Sequence, residues 1–86
     1  MRITVGSGSD KLSFEYSEGS VSVDTALRSV GEVRPAVFAR WCNKEGELRS
    51  SLGVFVNSEH VRYRQGLQTE LSDGDEVYVI PLVTGG

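Results

Sequence analysis

One amphipathic helical segment, placed between strand-like segments, most constrains the fold of this 86-residue chain. Apolar residues recur there at positions i, i+3, i+4 and i+7, namely Val23, Ala26, Leu27 and Val30. This spacing predicts a helix with one apolar face, and a single such face must be buried against a sheet or another helix. Ser22 has the side chain of an N-cap, and Gly31 is the predicted end of the helix.

A second, shorter helical piece is predicted directly after the first. Arg34 precedes Pro35, and a residue before proline disfavours helical backbone, so the chain should break and then resume. The side chains that this piece would turn inward are Val37, Phe38, Trp41 and Cys42.

Strand patterns lie on both sides of the helices. Residues 2–5 and 12–17 alternate between apolar and polar types, and the glycine- and serine-rich residues 6–10 predict a tight turn between them. Residues 52–57 alternate in the same way and are predicted to end at Asn57-Ser58-Glu59. A short strand is predicted near Val61–Tyr63.

The last strand completes an α+β layout. Asp73-Gly74-Asp75 predicts a turn into a strand from Glu76 to Leu82. The order β-β-α-β-β is that of the ubiquitin-like β-grasp roll, with one main helix packed on one face of a mixed sheet over residues 1–82. By parity Val77 and Val79 face the helix, whereas Tyr78, Ile80 and Phe55 lie on the other face, which is expected to stay open and partly apolar.

Composition excludes several classes of function. Hydrophobic residues make up 38% and charged residues 24%, which is typical of a globular domain. The net charge is -3 and no basic run is present, so nucleic acid is not an expected partner. Without a signal peptide or an apolar run of about 18 residues, the chain is expected to be neither exported nor membrane-spanning. A single cysteine fits a reducing cytoplasm.

The residue types needed for catalysis are scarce. His60 is the only histidine and is expected at the surface, while Cys42 is expected to be a small buried hydrophobe. Gly6-Ser7-Gly8-Ser9 leads into a strand rather than a helix, so it predicts a hairpin turn and not a phosphate cradle. Asp73-Gly74-Asp75 lacks the remaining ligands of a calcium loop. We therefore expect neither an enzyme nor a metal site.

The C-terminal tail, residues 83–86, offers a different kind of chemistry. Its sequence is Val83-Thr84-Gly85-Gly86, and two residues without Cβ can pass through a narrow enzyme channel. Four extended residues reach about 13 Å. A terminal carboxyl group has a pKa of about 3.5 in short peptides, so it is ionised at neutral pH and can attack an activated phosphate. The residues alone leave open whether this tail is functional or simply a frayed end.

The last third of the chain resembles a known family. Residues 54–62, 66–69 and 73–77, followed by Pro81 through Gly86, are similar to the ubiquitin-like sulfur carriers of molybdopterin and thiamine biosynthesis, and of cysteine biosynthesis in some bacteria. An Asp-Gly-Asp turn, a strand, a proline and a Gly-Gly end at this spacing form the specific part of the match.

The resemblance implies a relay in which the chain is a substrate. An adenylating enzyme resembling the ubiquitin-activating class would join the Gly86 carboxylate to AMP, using ATP and Mg, and a persulfide would then leave a thiocarboxylate. Gly85 would give backbone room, and the chain itself would bind no cofactor. Partner contacts would come from Phe55, Tyr78, Ile80 and Leu82. The sulfur would pass to a molybdopterin synthase large subunit, a thiazole synthase or a cysteine synthase homologue.

Two other functions remain open at this point. A ubiquitin-like protein modifier would join Gly86 to lysines of other proteins, and an inert interaction module would use neither reaction. The acceptor is also open among a molybdopterin precursor, the thiamine thiazole, an activated serine derivative and a transfer RNA base. The residues from Pro81 to Gly86 most resemble the molybdopterin and cysteine branches, and this resemblance implies a molybdopterin-synthase small-subunit-like role as the preferred one.

Overall fold

The computed structural model describes residues 1–7 and 10–82. Two predictions therefore lie outside the described residues: the conformation of Gly8 and Ser9 in the hairpin turn, and the tail of residues 83–86. Within the described part, the strands are β1 (Arg2–Ser7), β2 (Asp10–Glu15), β3 (Val21–Ser22), β4 (Leu52–Val56), β5 (Glu59–His60), β6 (Glu70–Leu71) and β7 (Glu76–Pro81). The helices are α1 (Val23–Val33) and α2 (Pro35–Trp41), with single 3-10 turns at Val61–Tyr63 and Gly66–Gln68.

The main sheet is mixed, and its strand order is β2-β1-β7-β4-β5. β1 and β7 run parallel in its interior, whereas β1 with β2, β7 with β4, and β4 with β5 are antiparallel. Ser7 stands opposite Asp10, so β1 and β2 form the predicted N-terminal hairpin. β3 and β6 pair separately as a small two-stranded sheet. The predicted α+β β-grasp fold is confirmed.

The core lies between α1 and one face of the main sheet. The four apolar residues of the helical pattern are at most 2% exposed. Their buried sheet partners include Ile3, Val5, Val54, Val56, Val77 and Val79. Ser22 caps α1, because its Oγ accepts a hydrogen bond from the Thr25 N–H at 3.2 Å. The predicted helix register and the parity of β7 are confirmed.

Helix α1 continues past Gly31, so the predicted end at that glycine is wrong. The helix ends at Val33, and Arg34, whose φ is -133° and ψ is 71°, breaks the chain before Pro35. Gly31 serves packing instead: a Cβ there would lie 3.0 Å from Cδ2 of Phe38. The glycine lets α2 pack closely against α1, and proline rather than glycine ends the helix.

The segment after β4 also differs from its prediction. β4 ends at Val56, so the predicted end of the strand at Asn57-Ser58-Glu59 is confirmed. Asn57 and Ser58 both have positive φ, 49° and 77°, and form a two-residue turn that leads into a further, unpredicted strand. Glu59 is therefore the first residue of β5, and Val61–Tyr63 is a 3-10 turn instead of a short strand. This hairpin brings His60 back beside β4.

No helix in the described ranges, 1–7 and 10–82, is long and apolar enough to cross a membrane.

Candidate functional site

The sheet face turned away from α1 carries a group of apolar and aromatic side chains. Its members are Phe55, His60, Tyr63, Tyr78, Ile80 and Leu82, and we call this group the open face. Phe55 stands directly opposite Tyr78 of β7 on one side and His60 of β5 on the other. Their sequence neighbours Val54, Val56, Val77 and Val79 are buried in the core. Strand alternation therefore places Phe55, Tyr78 and Ile80 on one surface, and Tyr63 joins them through its contact with His60.

Three ring side chains form a row across the strands. The ring centroids of Phe55 and His60 are 5.0 Å apart, and those of His60 and Tyr63 are 6.4 Å apart. Both pairs meet edge to face, an arrangement that aromatic rings favour. Tyr63 is 73% exposed and Ile80 44% exposed. These large apolar surfaces remain available to a partner.

Tyr78 is held flat against the sheet at one end of this row. A Cβ at Gly6 would lie 2.9 Å from both Cδ1 and Cε1 of the Tyr78 ring, so only glycine allows the ring this position. The Tyr78 hydroxyl donates to Oε1 of Glu76 at 2.6 Å. The ammonium group of Lys11 lies 5.7 Å from the ring centroid, within reach of a cation–π interaction. Together these contacts fix the orientation of Tyr78.

Leu82, the last described residue, is attached to the same face by two contacts. Its N–H donates to the carbonyl of Ser51 at 2.7 Å, which extends the β4–β7 pairing beyond Pro81. Its side chain lies over Gly53, where a Cβ would meet Leu82 Cδ2 at 2.9 Å and Phe55 Cε1 at 3.0 Å. The base of the tail thus borders the open face.

A cation stands at each end of the open face. Lys11 lies at the Tyr78 end, and the guanidinium of Arg62 lies 5.8 Å from the Tyr63 ring centroid. Neither forms an ion pair with any residue that the structure describes. The Glu76 carboxylate, which accepts the Tyr78 hydroxyl, adds a negative charge at the Lys11 end. An apolar centre with the positive charge of Arg62 at the Tyr63 end suits a partner whose contact surface is apolar with an acidic edge there.

His60 is half-buried in this face, contrary to the expectation of a simple surface residue. Its Nδ1 accepts a hydrogen bond from the Arg62 N–H at 3.0 Å, so the neutral ring carries its proton on Nε2. Nε2 is buried and has no hydrogen-bond partner among residues 1–7 and 10–82. His60 caps the 3-10 turn that holds Tyr63 and packs against Phe55.

The other candidate groups have structural roles. Cys42 is half-buried at the end of α2, forms an isolated antiparallel β-bridge with Leu48, and lines a cleft together with Leu27 of α1. In the Asp-Gly-Asp turn, Asp73 Oδ1 accepts from the Arg2 N–H at 2.7 Å, and Asp75 Oδ2 accepts from the Ser72 N–H at 2.8 Å. The part of the chain that the structure describes contains no group of three or more His, Cys, Asp and Glu residues placed to hold a metal.

Of the predicted partner-contact residues, the structure brings together Phe55, Tyr78, Ile80 and Leu82; the predicted tail residues Val83, Thr84, Gly85 and Gly86 lie outside the described residues. Sequence reasoning missed the contributions of His60, Tyr63 and Lys11. The signal for His60 was present, because a two-residue Asn57-Ser58 turn necessarily sets Phe55 opposite His60. No local pattern indicated Tyr63.

Comparisons with known proteins agree with this geometry. A candidate sulfur carrier protein from Archaeoglobus fulgidus is 32% identical over 72 residues, which cover 84% of this chain and 82% of that protein. A chain of the Amycolatopsis orientalis BexX/CysO complex superposes with a TM-score of 0.72 at 30% identity, covering 98% and 99% of the two chains. The small archaeal modifier protein 1 of Methanosarcina acetivorans superposes with a TM-score of 0.79 at 25% identity, covering 99% and 96%.

The family model that matches the sequence is that of the ThiS family, over residues 9–86. This match includes the closing strand, the Asp-Gly-Asp turn and the Gly-Gly end from which the resemblance was inferred. The curated relatives are named sulfur carrier proteins, in agreement with the expectation that this chain is not an enzyme. The chain belongs to the ThiS family of ubiquitin-like sulfur carriers.

Proposed function

We propose that this protein carries sulfur as a thiocarboxylate at Gly86. An adenylating enzyme docks on the open face, takes the tail of residues 83–86 into its active site and activates the terminal carboxylate. The chain supplies the docking surface and the reacting carboxylate, and the partner supplies the catalytic groups. ATP and Mg are used by that partner, and no cofactor is resident in the carrier.

The proposed chemistry has three steps. A Gly86 carboxylate oxygen attacks the α-phosphate of ATP, forming the acyl adenylate and releasing pyrophosphate. The terminal sulfur of a persulfide on a partner attacks the acyl carbon and expels AMP, which gives an acyl disulfide. A second thiol of the partner then cleaves the S–S bond, leaving the thiocarboxylate on Gly86 and a disulfide on the partner. The thiocarboxylate sulfur is the nucleophile that the acceptor receives.

The observation that carries this proposal is the position of Leu82. It packs over Gly53 beside Phe55, so the base of the tail lies at the edge of the aromatic and apolar surface. The four tail residues span about 13 Å when extended, so an enzyme that covers the open face can hold its active site within their reach. The enzyme must bind the open face and the tail at the same time. Binding energy from the open face can then position the reacting carboxylate.

The comparisons support a partner-dependent carrier. A similar chain was solved as part of the Amycolatopsis orientalis BexX/CysO complex, so a relative of this fold forms a complex with another protein. The similarity to a sulfur carrier protein named CysO favours the cysteine branch, in which the acceptor is an activated serine derivative on a cysteine synthase homologue. Molybdopterin transfer to a synthase large subunit is the second branch that the residues from Pro81 to Gly86 favour.

The decisive experiment follows the mass of the intact chain. Incubation with the adenylating enzyme of the same organism, ATP, Mg and a persulfide donor is expected to replace one oxygen of the chain by sulfur. A variant that lacks Gly86, and one extended by a residue after it, are the matched controls. Both are expected to remain unmodified while keeping the melting temperature of the wild type, because terminal residues rarely contribute to a core.

The sulfur acceptor is then identified by using the thiocarboxylate form of the carrier. It is incubated separately with a cysteine synthase homologue plus an activated serine derivative, and with a molybdopterin synthase large subunit plus its precursor. Sulfur loss from the carrier in one mixture alone assigns the branch. If the thiocarboxylate form keeps its sulfur in both mixtures, the thiamine thiazole and a transfer RNA base are the acceptors to test next in the same assay.

A protein modifier is the second candidate function. The similarity to the small archaeal modifier protein 1 of Methanosarcina acetivorans favours it, and the activation step would be the same. The products differ, because a modifier forms an amide between Gly86 and a lysine amine of another protein. Conjugates without any thiocarboxylate would establish this function. If neither product forms, the chain is an interaction module and the carrier proposal is wrong.

A further inference from the structure

Gly53, which has no side chain, leaves space on β4 that another residue occupies. It lies in β4, a position where glycine weakens a strand relative to residues with side chains. It is opposite Ile80 and one residue away from the pairing of Leu52 with Pro81, at the end of the β4–β7 ladder. A glycine in such a strand often marks a close approach by another group.

The approaching group is the side chain of Leu82. A Cβ at Gly53 would be 2.9 Å from Leu82 Cδ2 and 3.2 Å from Leu82 Cγ, so alanine at this position would displace the flexible end of the Leu82 side chain. Leu82 is also held through its N–H, which donates to the Ser51 carbonyl at 2.7 Å. Leu82 is therefore held both by its side chain, which packs on Gly53, and by its backbone, which is bonded to Ser51. It directly precedes residues 83–86 of the tail.

We infer that Gly53 is a positioning residue for the activation reaction: its missing side chain forms a seat for Leu82 and thereby sets the point from which the tail starts. This inference rests on the proposed function. The seat keeps the tether between docking face and reacting carboxylate at four residues. Loss of the seat would lengthen the tether by Leu82 and add the freedom of its backbone, which must be ordered again for reaction.

The test is steady-state activation of the Gly53→Ala variant by the adenylating enzyme, measured as carrier-dependent exchange between ATP and pyrophosphate. We expect kcat to fall about tenfold, the cost of ordering roughly one more residue, while KM changes by less than about threefold because the open-face residues other than Leu82 remain available for docking. Gly19→Ala is the control, since nothing lies within 4 Å of a Cβ at that exposed position. It is expected to match the wild type in both constants.

A second glycine separates tail positioning from docking. Gly6→Ala meets the Tyr78 ring at 2.9 Å and touches the face without touching Leu82. It is expected to raise KM with little change in kcat, the opposite pattern to Gly53→Ala. Identical patterns in the two variants would mean that Gly53 acts only through the shape of the face.

The contact between Gly53 and Leu82 is tested with a double-mutant cycle. Leu82→Ala removes the atoms that a Cβ at Gly53 would meet, apart from Cε1 of Phe55. If Gly53 acts through Leu82, adding Gly53→Ala to Leu82→Ala lowers kcat no further. Additive losses would overturn the inference, because the two residues would then act separately.

A measurement without any partner separates this inference from the proposed function. Amide hydrogen exchange of Leu82 is expected to be protected in the wild type and faster in Gly53→Ala, with the core amides unchanged. An unprotected Leu82 amide in the wild type overturns the seat itself. Protection together with full activity of Gly53→Ala overturns only its positioning role. Protection in a wild type that no adenylating enzyme activates overturns the proposed function, and the positioning role with it.

Discussion

The ring of Phe38 in α2 lies across Gly31 in α1, so closely that a Cβ on the glycine would be 3.0 Å from Cδ2 and 3.1 Å from Cγ of the ring. Phe38 also meets Trp41 edge to face, with ring centroids 6.2 Å apart. This contact sets how closely the two helices approach each other. It explains why a residue of poor helix propensity occupies the interior of α1.

Replacement of Gly31 by leucine is therefore expected to destabilise the fold. Overpacking against Phe38 should cost about 1–3 kcal/mol, partly offset by about 1 kcal/mol of improved helix propensity. Urea denaturation measures the free energy of unfolding. Added to Phe38→Ala, the Gly31→Leu change should be neutral or stabilising, because the ring that it meets is gone. Equal effects in both backgrounds would contradict the proposed contact.

Leu27 is expected to be a principal core residue of α1. It is 2% exposed, and Leu27→Ala should lower the free energy of unfolding by about 2–5 kcal/mol, a large fraction of the stability of a small domain. Val33→Ala is the matched control on the same helix, because Val33 is 56% exposed. Its effect should stay within about 0.5 kcal/mol. Comparable losses in the two variants would be inconsistent with the helix register.

Ile80→Asp is expected to weaken partner binding without unfolding the domain. Ile80 is 44% exposed on the open face, so the charge is solvated in the free protein but desolvated in a complex. Affinity for the adenylating enzyme should fall by about 2 kcal/mol, or roughly thirty-fold. Val33→Asp places the same change on the helix side and should bind normally. Titration calorimetry with circular dichroism of each variant decides between lost binding and lost fold.

Arg62→Glu is expected to slow association with the adenylating enzyme. Arg62 stacks on Tyr63 at one end of the open face, where its charge would attract acidic edges of a partner. The association rate should fall about tenfold at low salt, and the difference from wild type should shrink as ionic strength rises. Arg40→Glu, on α2, is the matched charge reversal. Stopped-flow rates that are equal for both variants would remove the electrostatic role of Arg62.

Tyr16 is expected to make stability depend on alkaline pH. Burial raises the pKa of the Tyr16 phenol, the hydrogen bond with Ser29 opposes this, and the charges of Glu32 and Glu18 add to the increase. Because the folded-state pKa exceeds the unfolded value of about 10, this contribution is fully present below about pH 10 and is lost as pH rises through the folded pKa.

The measurement is denaturation of wild type and Tyr16→Phe across that alkaline range. The difference in their free energies of unfolding should decrease above about pH 10, since the phenylalanine has no proton to release. A constant difference would show that Tyr16 titrates alike in folded and unfolded chains. The hydroxyl of Tyr16 lies 2.6 Å from that of Ser29, so the variant also loses one link between the end of β2 and α1.

The amino-acid sequence by itself determined those features that depend on local pattern. The helical spacing of Val23, Ala26, Leu27 and Val30 placed α1 on the sheet, and the two-residue period of β7 assigned Val77 to the core and Tyr78 to the open face. Both periods are properties of the backbone, so they are readable without knowledge of any distant residue. The Gly-Gly end and the Asp-Gly-Asp turn are also local in sequence, and they indicated the family that the ThiS match shows.

The tertiary structure alone decided what depends on the close approach of residues distant in sequence. The sequence predicts that Gly31 ends the helix, yet Phe38 makes it a packing position. By strand alternation Gly53 shares the face of Phe55 and has no further predicted role, yet Leu82 packs over it. His60 reads as a surface residue until the Asn57-Ser58 turn folds it onto Phe55. A glycine in a strand or helix gives no indication of which side chain will occupy the space that it leaves, because that side chain is chosen by the packing of the whole domain.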